Sequence, residues 1–139
     1  MLYFAVVLSL LAVAHGSGDG RPVIHLPAIV LDVVKQSVTD CVKEEGVSPA
    51  IGEDFFKLKF GSDPDSKKFL YCVSRKTNYA DEDGHFNDGM LSLFNGNSLK
   101  DEVQKVIEKC NKNKEDTKIN TMYKTIDCFH KNTPVLLVE

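Results

Sequence analysis

Apolar positions recur at helical spacing in six separate stretches of this chain. In the clearest, from Asp63 to Lys76, Phe69, Cys72 and Val73 fall on one face with Leu70 beside them, while Lys67, Lys68 and Arg75 stay polar. Its start is marked too: Asp63 can cap, Pro64 suits the first helical position, and Asp65 favours the positive end of the helix dipole. Upstream, Val30, Val33, Val34, Val38 and Cys41 alternate in blocks with Asp32, Lys35, Gln36, Thr39 and Asp40. That period predicts a helix from Ile29 to Cys41, entered at Pro27 and ended by Gly46, despite the β-branched valines. Ser48 and Pro49 restart the pattern as cap and first helical residue, leading into Ile51, Phe55, Phe56 and Leu58.

Beyond the Asp63–Lys76 stretch, Asn78 to Gly84 reads as a turn. A short helix from about Asn87 to Phe94 carries Met90, Leu91 and Phe94, and Asn95-Gly96-Asn97-Ser98 breaks it. Ser98 is expected to cap the next helix, with Glu102 close to the capping-box position. Leu99, Val103, Val106, Ile107 and Cys110 then lie at helical spacing. After a solvated run from Asn111 to Lys118, Ile119, Met122, Tyr123, Ile126 and Phe129 form the last helix, which Pro134 stops. No internal repeat and no strand alternation is evident. The expected fold is all-α: one compact six-helix domain.

The two ends of the chain differ in kind. Leu2 to Ala14 is almost unbroken apolar sequence, too short for a membrane span of roughly 20 residues. Ala12-Val13-Ala14 offers the small residues of a signal-peptidase site, although no basic residue stands near Met1. Residues 1–16 are therefore expected to be a signal peptide and residues 17–139 the mature domain, placing the protein in an oxidising, extracellular setting. There, four cysteines read as two disulfides, for which three pairings exist. The formal charge of −3 gives no electrostatic footprint for nucleic acid or anionic membrane. The chain has no Asn-x-Ser/Thr glycosylation site.

Little in the chain points to chemistry. The acidic turn Asp81-Glu82-Asp83-Gly84 suggests a calcium loop, but with Gly84 at the invariant glycine, Tyr79 and Met90 fall on ligand positions that need oxygen. His25, His85 and His130 have no second histidine three or four residues away, so no zinc site is expected. No serine sits in a nucleophile elbow and no Cys/His pair is available. The protein is expected to be non-enzymatic, without cofactor or metal. The apolar inventory is more informative. Phe55, Phe56, Phe60, Phe69, Phe86, Phe94 and Phe129 favour a packed core, and the tail Val135-Leu136-Leu137-Val138 is expected to lie in a groove of its own domain.

Thirty residues separate Cys41 from Cys72, 37 separate Cys72 from Cys110, and 17 separate Cys110 from Cys128. This spacing, together with Cys41-Val42-Lys43-Glu44-Glu45-Gly46-Val47-Ser48 and the Asp81-Glu82-Asp83-Gly84-His85-Phe86-Asn87 turn, resembles the insect odorant-binding proteins, the pheromone and general odorant-binding family. Lys68 and Ile119 stand where the family's commoner pattern has two further cysteines, which corresponds to its four-cysteine, minus-C subclass. The resemblance implies bridges Cys41–Cys72 and Cys110–Cys128 and a six-helix domain enclosing an apolar cavity. It also implies extracellular binding and transport of small hydrophobic ligands such as odorants or pheromones.

On that basis the expected wall comprises Val73, Met90, Leu91, Phe94, Met122, Tyr123, Ile126, Val135 and Leu136, with Tyr123 as polar donor. The expected partners are a small hydrophobic ligand and a membrane chemoreceptor, with no nucleic acid and no membrane insertion; the chain is expected as a monomer or weak homodimer. An alternative is a secreted helical signalling or interaction protein that docks its apolar tail on a receptor. A bridge closing such loops contributes roughly 3–4 kcal/mol, large against a total of about 5–15 kcal/mol. Without a bond between positions 68 and 119, the third and sixth helices should shift relative to each other. Hydrogen exchange in the third helix should accordingly show opening below the global stability; uniform protection at the global value would contradict this.

Overall fold

The computed structural model describes residues 19–139, so the leader expected over residues 1–16 lies outside the described residues. Six helices follow a first short strand: β1 (Val23–His25), α1 (Ala28–Glu45), α2 (Pro49–Phe56), α3 (Pro64–Lys76), α4 (Asp88–Ser92), α5 (Lys100–Cys110) and α6 (Lys118–Asn132). A second strand, β2 (Leu136–Val138), ends the chain.

The punctuation of the helices follows local chemistry. Gly46, at φ +61°, closes α1 in the left-handed conformation, and Val47 N–H returns to Val42 O at 3.2 Å. Ser48 Oγ accepts from Ala50 N–H at the start of α2, with Pro49 in the first position. Asp63 caps α3, accepting from Ser66 N–H at 3.1 Å and from the Ser66 hydroxyl at 2.7 Å. Those two bonds hold the Asp63 carboxyl below its usual range. Asn87 caps α4 and Thr117 caps α6.

Two local expectations change. Ser98 does not cap α5: Asn97 Oδ1 takes the Leu99 N–H at 2.8 Å, one residue earlier, and α5 begins at Lys100 behind Leu99. Leu58 lies beyond α2, which ends at Phe56, and its backbone turns to φ +57°, a conformation costly for a branched side chain.

The sheet was not visible in the pattern. β1 and β2 pair in parallel, with Val23 opposite Leu136, Ile24 opposite Leu137 and His25 opposite Val138. Leu136 N–H donates to Pro22 O at 3.0 Å and Leu26 N–H to Val138 O at 2.9 Å. Three-residue strands carry too few positions to show a period of two, and their pairing joins the two ends of the domain.

Cys41–Cys72 ties α1 to α3 and Cys110–Cys128 ties α5 to α6, with Cα separations of 5.8 and 5.6 Å. Between α3 and α6, at the junction that lacks a bridge, two lysine–tyrosine pairs cross. Lys67 Nζ lies 5.0 Å from the Tyr123 ring centre, and Lys118 Nζ lies 5.4 Å from that of Tyr71. Lys67 also donates to Asn120 Oδ1 at 3.1 Å.

Phe69, Phe94, Val103 and Met122 are fully buried at the centre. The turn before α4 is fastened to this centre from several sides. Arg75 donates to Ala80 O at 3.0 Å, Tyr71 Oη to Glu82 O at 2.8 Å, and the buried Thr125 Oγ1 approaches Gly84 O at 2.9 Å. The Asn111 side chain bonds both backbone groups of Phe86, as a neighbouring strand would. Gly84 sits at φ +91°, and a Cβ there would stand 2.6 Å from Lys118 O and 2.8 Å from Met122 N. Backbone meets backbone at that point, so neither side can yield. Gly84→Ala should therefore destabilise the domain by about 2–4 kcal/mol, read from urea unfolding; a loss below about 0.5 kcal/mol would show that the turn can lift off α6.

Candidate ligand-binding cavity

The interior holds a cavity of about 160 Å³. Its wall is drawn from several elements that the helix pattern alone does not bring together. Leu26, Leu31 and Val34 come from the entry to α1 and its first turns; Phe55 and Phe56 come from α2, and Leu58 and Phe60 from the loop after it. The end of α3 and the residues just after it supply Val73, Ser74, Thr77 and Tyr79. Phe86, Met90 and Leu93 close another side, and α6 presents Ile126, Phe129 and His130. Thr133 and Val135 to Glu139 complete the wall.

The tail is held by more than strand pairing. Arg21 reaches the carbonyls of His130 and Thr133, which places a cation on the unpaired carbonyls at the end of α6. His25 Nδ1 lies 2.8 Å from Glu139 O, and Lys35 pairs with the Glu139 side chain at 3.6 Å in the open. Val135 and Leu136 are buried as a result.

Of the residues expected on the wall, the cavity brings together Val73, Met90, Ile126, Val135 and Leu136. Leu91, Phe94, Met122 and Tyr123 are not on it. Phe94 and Met122 are 0 % exposed and belong to the packed centre, where the Phe94 ring meets that of Phe129 edge-on at 6.1 Å. Leu91 packs half-buried against the core, and Tyr123 carries the Lys67 ammonium on its ring. All four sit at the same helical spacing as wall residues, which is why periodicity cannot separate them. The phenylalanines, expected in a packed core, are divided: Phe69 and Phe94 are fully buried at the centre, but the other five are not confined to it. Phe55, Phe56, Phe60, Phe86 and Phe129 all face the cavity.

The aromatic wall is knit edge to face. Phe55 meets Phe56 at 5.4 Å and Phe60 at 6.0 Å, Phe86 meets Phe129 at 5.3 Å, and the His130 ring meets Phe60 at 5.4 Å. Burial lowers the pKa of His130 from 6.5, and the Arg21 charge adds to the effect against the opposing pull of Asp19 and Asp127. Cys41, Glu44 and Cys72 lie close enough together to suggest a metal site, but both sulfurs are in the disulfide. Among the described residues no helix is long and apolar enough to cross a membrane.

The PBP/GOBP family profile matches residues 26–132, and the chain belongs to that family of non-enzymatic, extracellular proteins that bind small molecules. With two disulfides among four cysteines it fits the minus-C type. Among curated relatives, the B2 and B1 proteins of Tenebrio molitor are each 27% identical over 109 residues, covering 75% of this chain and 82% and 81% of theirs. Two solved structures share the fold. One is the odorant binding protein lmigOBP1 of Locusta migratoria, with a TM-score of 0.63 and 22% identity over 80% of this chain and 87% of that one. The other is odorant binding protein 7 of Anopheles gambiae, solved with four disulfide bridges in complex with an azo compound. It gives a TM-score of 0.61 and 21% identity over 76% of this chain and 86% of that one.

The depressed pKa of His130 sets a sign for pH. As pH falls through 6.5 the unfolded chain takes up a proton that the folded imidazole still refuses, so stability declines toward the lowered folded value and levels off below it. A His130→Gln variant should lose that step between pH 6.5 and the lowered value in urea-midpoint measurements. An unchanged step would assign it to another group.

Proposed function

We propose that this protein is a secreted carrier of small hydrophobic molecules, of the size and character of odorants or pheromones, acting by partition rather than by chemistry. The observation that carries this reading is the apolar cavity whose last wall is the chain's own C-terminal strand. In this reading residues 1–16 are removed on secretion and residues 17–139 form the carrier. Its cargo is released to a membrane chemoreceptor or another acceptor, and it works as a monomer or weak homodimer. Because Val135 and Leu136 are buried within their own domain, the tail favours this role over that of a signalling protein that docks its tail on a receptor.

The size of the cavity bounds the affinity. A cavity near 150 Å³ lined by aliphatic and aromatic groups accommodates a guest about the size of benzene. Burying about 250 Å² of apolar surface gains roughly 6 kcal/mol at about 25 cal/mol per Å², from which the cost of association is subtracted. Binding should be micromolar or weaker and governed by shape.

Phe56 and Leu137 are wall residues that are only half-buried, so polar replacements there should leave the fold intact. Phe56→Asn and Leu137→Asn should each weaken binding of a small apolar aromatic about tenfold by isothermal titration, in line with roughly 1–2 kcal/mol per lost apolar contact. Wild-type affinity in both folded variants would overturn the carrier reading.

A further inference from the structure

The cavity wall contains six polar residues, Ser74, Thr77, Tyr79, His130, Thr133 and Glu139, and no lysine or arginine. Most already have work inside the fold. The Thr77 hydroxyl donates to Val73 O at 2.8 Å, the Thr133 hydroxyl to Val135 O at 2.8 Å, and the Glu139 carboxylate faces Lys35. The His130 ring is set edge-on against Phe60. Tyr79 is different. Its backbone is bonded on both sides, with its N–H donating to Ser74 O and its carbonyl accepting from Asn87 N–H, each at 3.1 Å. Its ring lies close over Gly89, where a Cβ would stand 3.6 Å from the ring carbon Cδ1. The residue is thus held firmly, yet its hydroxyl has no hydrogen-bond partner among the described residues.

We infer that Tyr79 donates a hydrogen bond to the bound molecule, so that the site selects small uncharged ligands bearing one acceptor oxygen, such as a ketone, aldehyde or ester. This rests on the carrier reading and names the ligand class within it. A phenol can serve as the donor because burial raises its pKa above 10.0, keeping the proton in place across the physiological range. Carboxylates are disfavoured on the same wall. No lysine or arginine lines it, so a carboxylate buried there would lose its hydration without a compensating partner. A hydrocarbon fits the apolar surface but makes no use of the phenol.

Three flat molecules of nearly one shape separate these terms: acetophenone, α-methylstyrene and benzoate, each titrated calorimetrically into the wild-type protein and into Tyr79→Phe. Since the hydroxyl has no partner in the fold, Tyr79→Phe should leave the urea midpoint unchanged. It should weaken acetophenone about 3- to 10-fold, the worth of one neutral hydrogen bond, and α-methylstyrene less than about twofold. Benzoate should bind wild type at least about tenfold more weakly than acetophenone, as an unpaired charge demands. If α-methylstyrene binds and acetophenone is indifferent to Tyr79→Phe, the donor role is overturned while the carrier reading stands. If neither neutral molecule binds wild type, the carrier reading itself fails. Should Tyr79→Phe not fold, the wild-type ranking decides, and benzoate binding as tightly as acetophenone overturns the selection.

Discussion

The cavity depends on the pairing of the chain's last strand with its first. Val135 to Val138 are apolar residues that would be costly to leave in water, and β1 gives them a backbone edge on which to align. Parallel register with Val23 to His25 fixes which tail residues face inward, because a slip of one position would turn Leu136 outward. Arg21, next to β1, reaches back to the end of α6, so the segment that holds the tail is itself tied to the helix the tail leaves. The tail is therefore a structural part of the container, and the ends of the domain close it together.

The helices around that container are joined unevenly. The bridges at Cys41–Cys72 and Cys110–Cys128 make α1–α3 and α5–α6 two covalent units. Between α3 and α6, besides core packing and the Lys67–Asn120 hydrogen bond, stand the reciprocal pairs Lys67 on Tyr123 and Lys118 on Tyr71, the two lysines next in sequence to Lys68 and Ile119 at the unbridged positions. At exposed sites a cation–π pair contributes about 0.5–1 kcal/mol, against roughly 3–4 kcal/mol for a bridge of this loop size. The two pairs recover a fraction of what a bond would supply. The likeness to an Anopheles gambiae protein with four bridges indicates that the fold itself tolerates a different number of bonds. Bridge number is thus not what sets the topology.

What could be read from the sequence follows from range. The helices were legible because their signals are local: Asp63-Pro64, Ser48-Pro49 and Gly46 sit beside the residues they order. The strand pair was not, since neither VIH nor LLV carries an alternation and each needs the other end of the chain. Local competition also decided details. Asn97 displaced Ser98 at the start of α5, because its side chain reaches the Leu99 amide first. The site was legible in part for the same reason. Helical spacing puts Met90 and Phe94 on one face, but only packing between helices sends Met90 to the cavity and Phe94 to the centre.

The distribution of stiffness around the cavity bears on what it can accept. Phe55, Phe56, Phe60 and His130 form one connected set of rings, and Phe86, Phe129 and Phe94 another, the latter backed by the clamp at Gly84. Aromatic rings with few rotamers and edge-on neighbours yield little, so they define shape. The rest of the wall is of a different kind. Leu58 is held at φ +57° in the loop after α2 by the backbone bonds on either side of it, and the tail is fixed by its three-residue ladder together with the contacts of Arg21 and His25. A guest therefore meets ring faces that fix its shape on one side, and on the other aliphatic side chains whose positions depend on backbone bonds between the two ends of the domain.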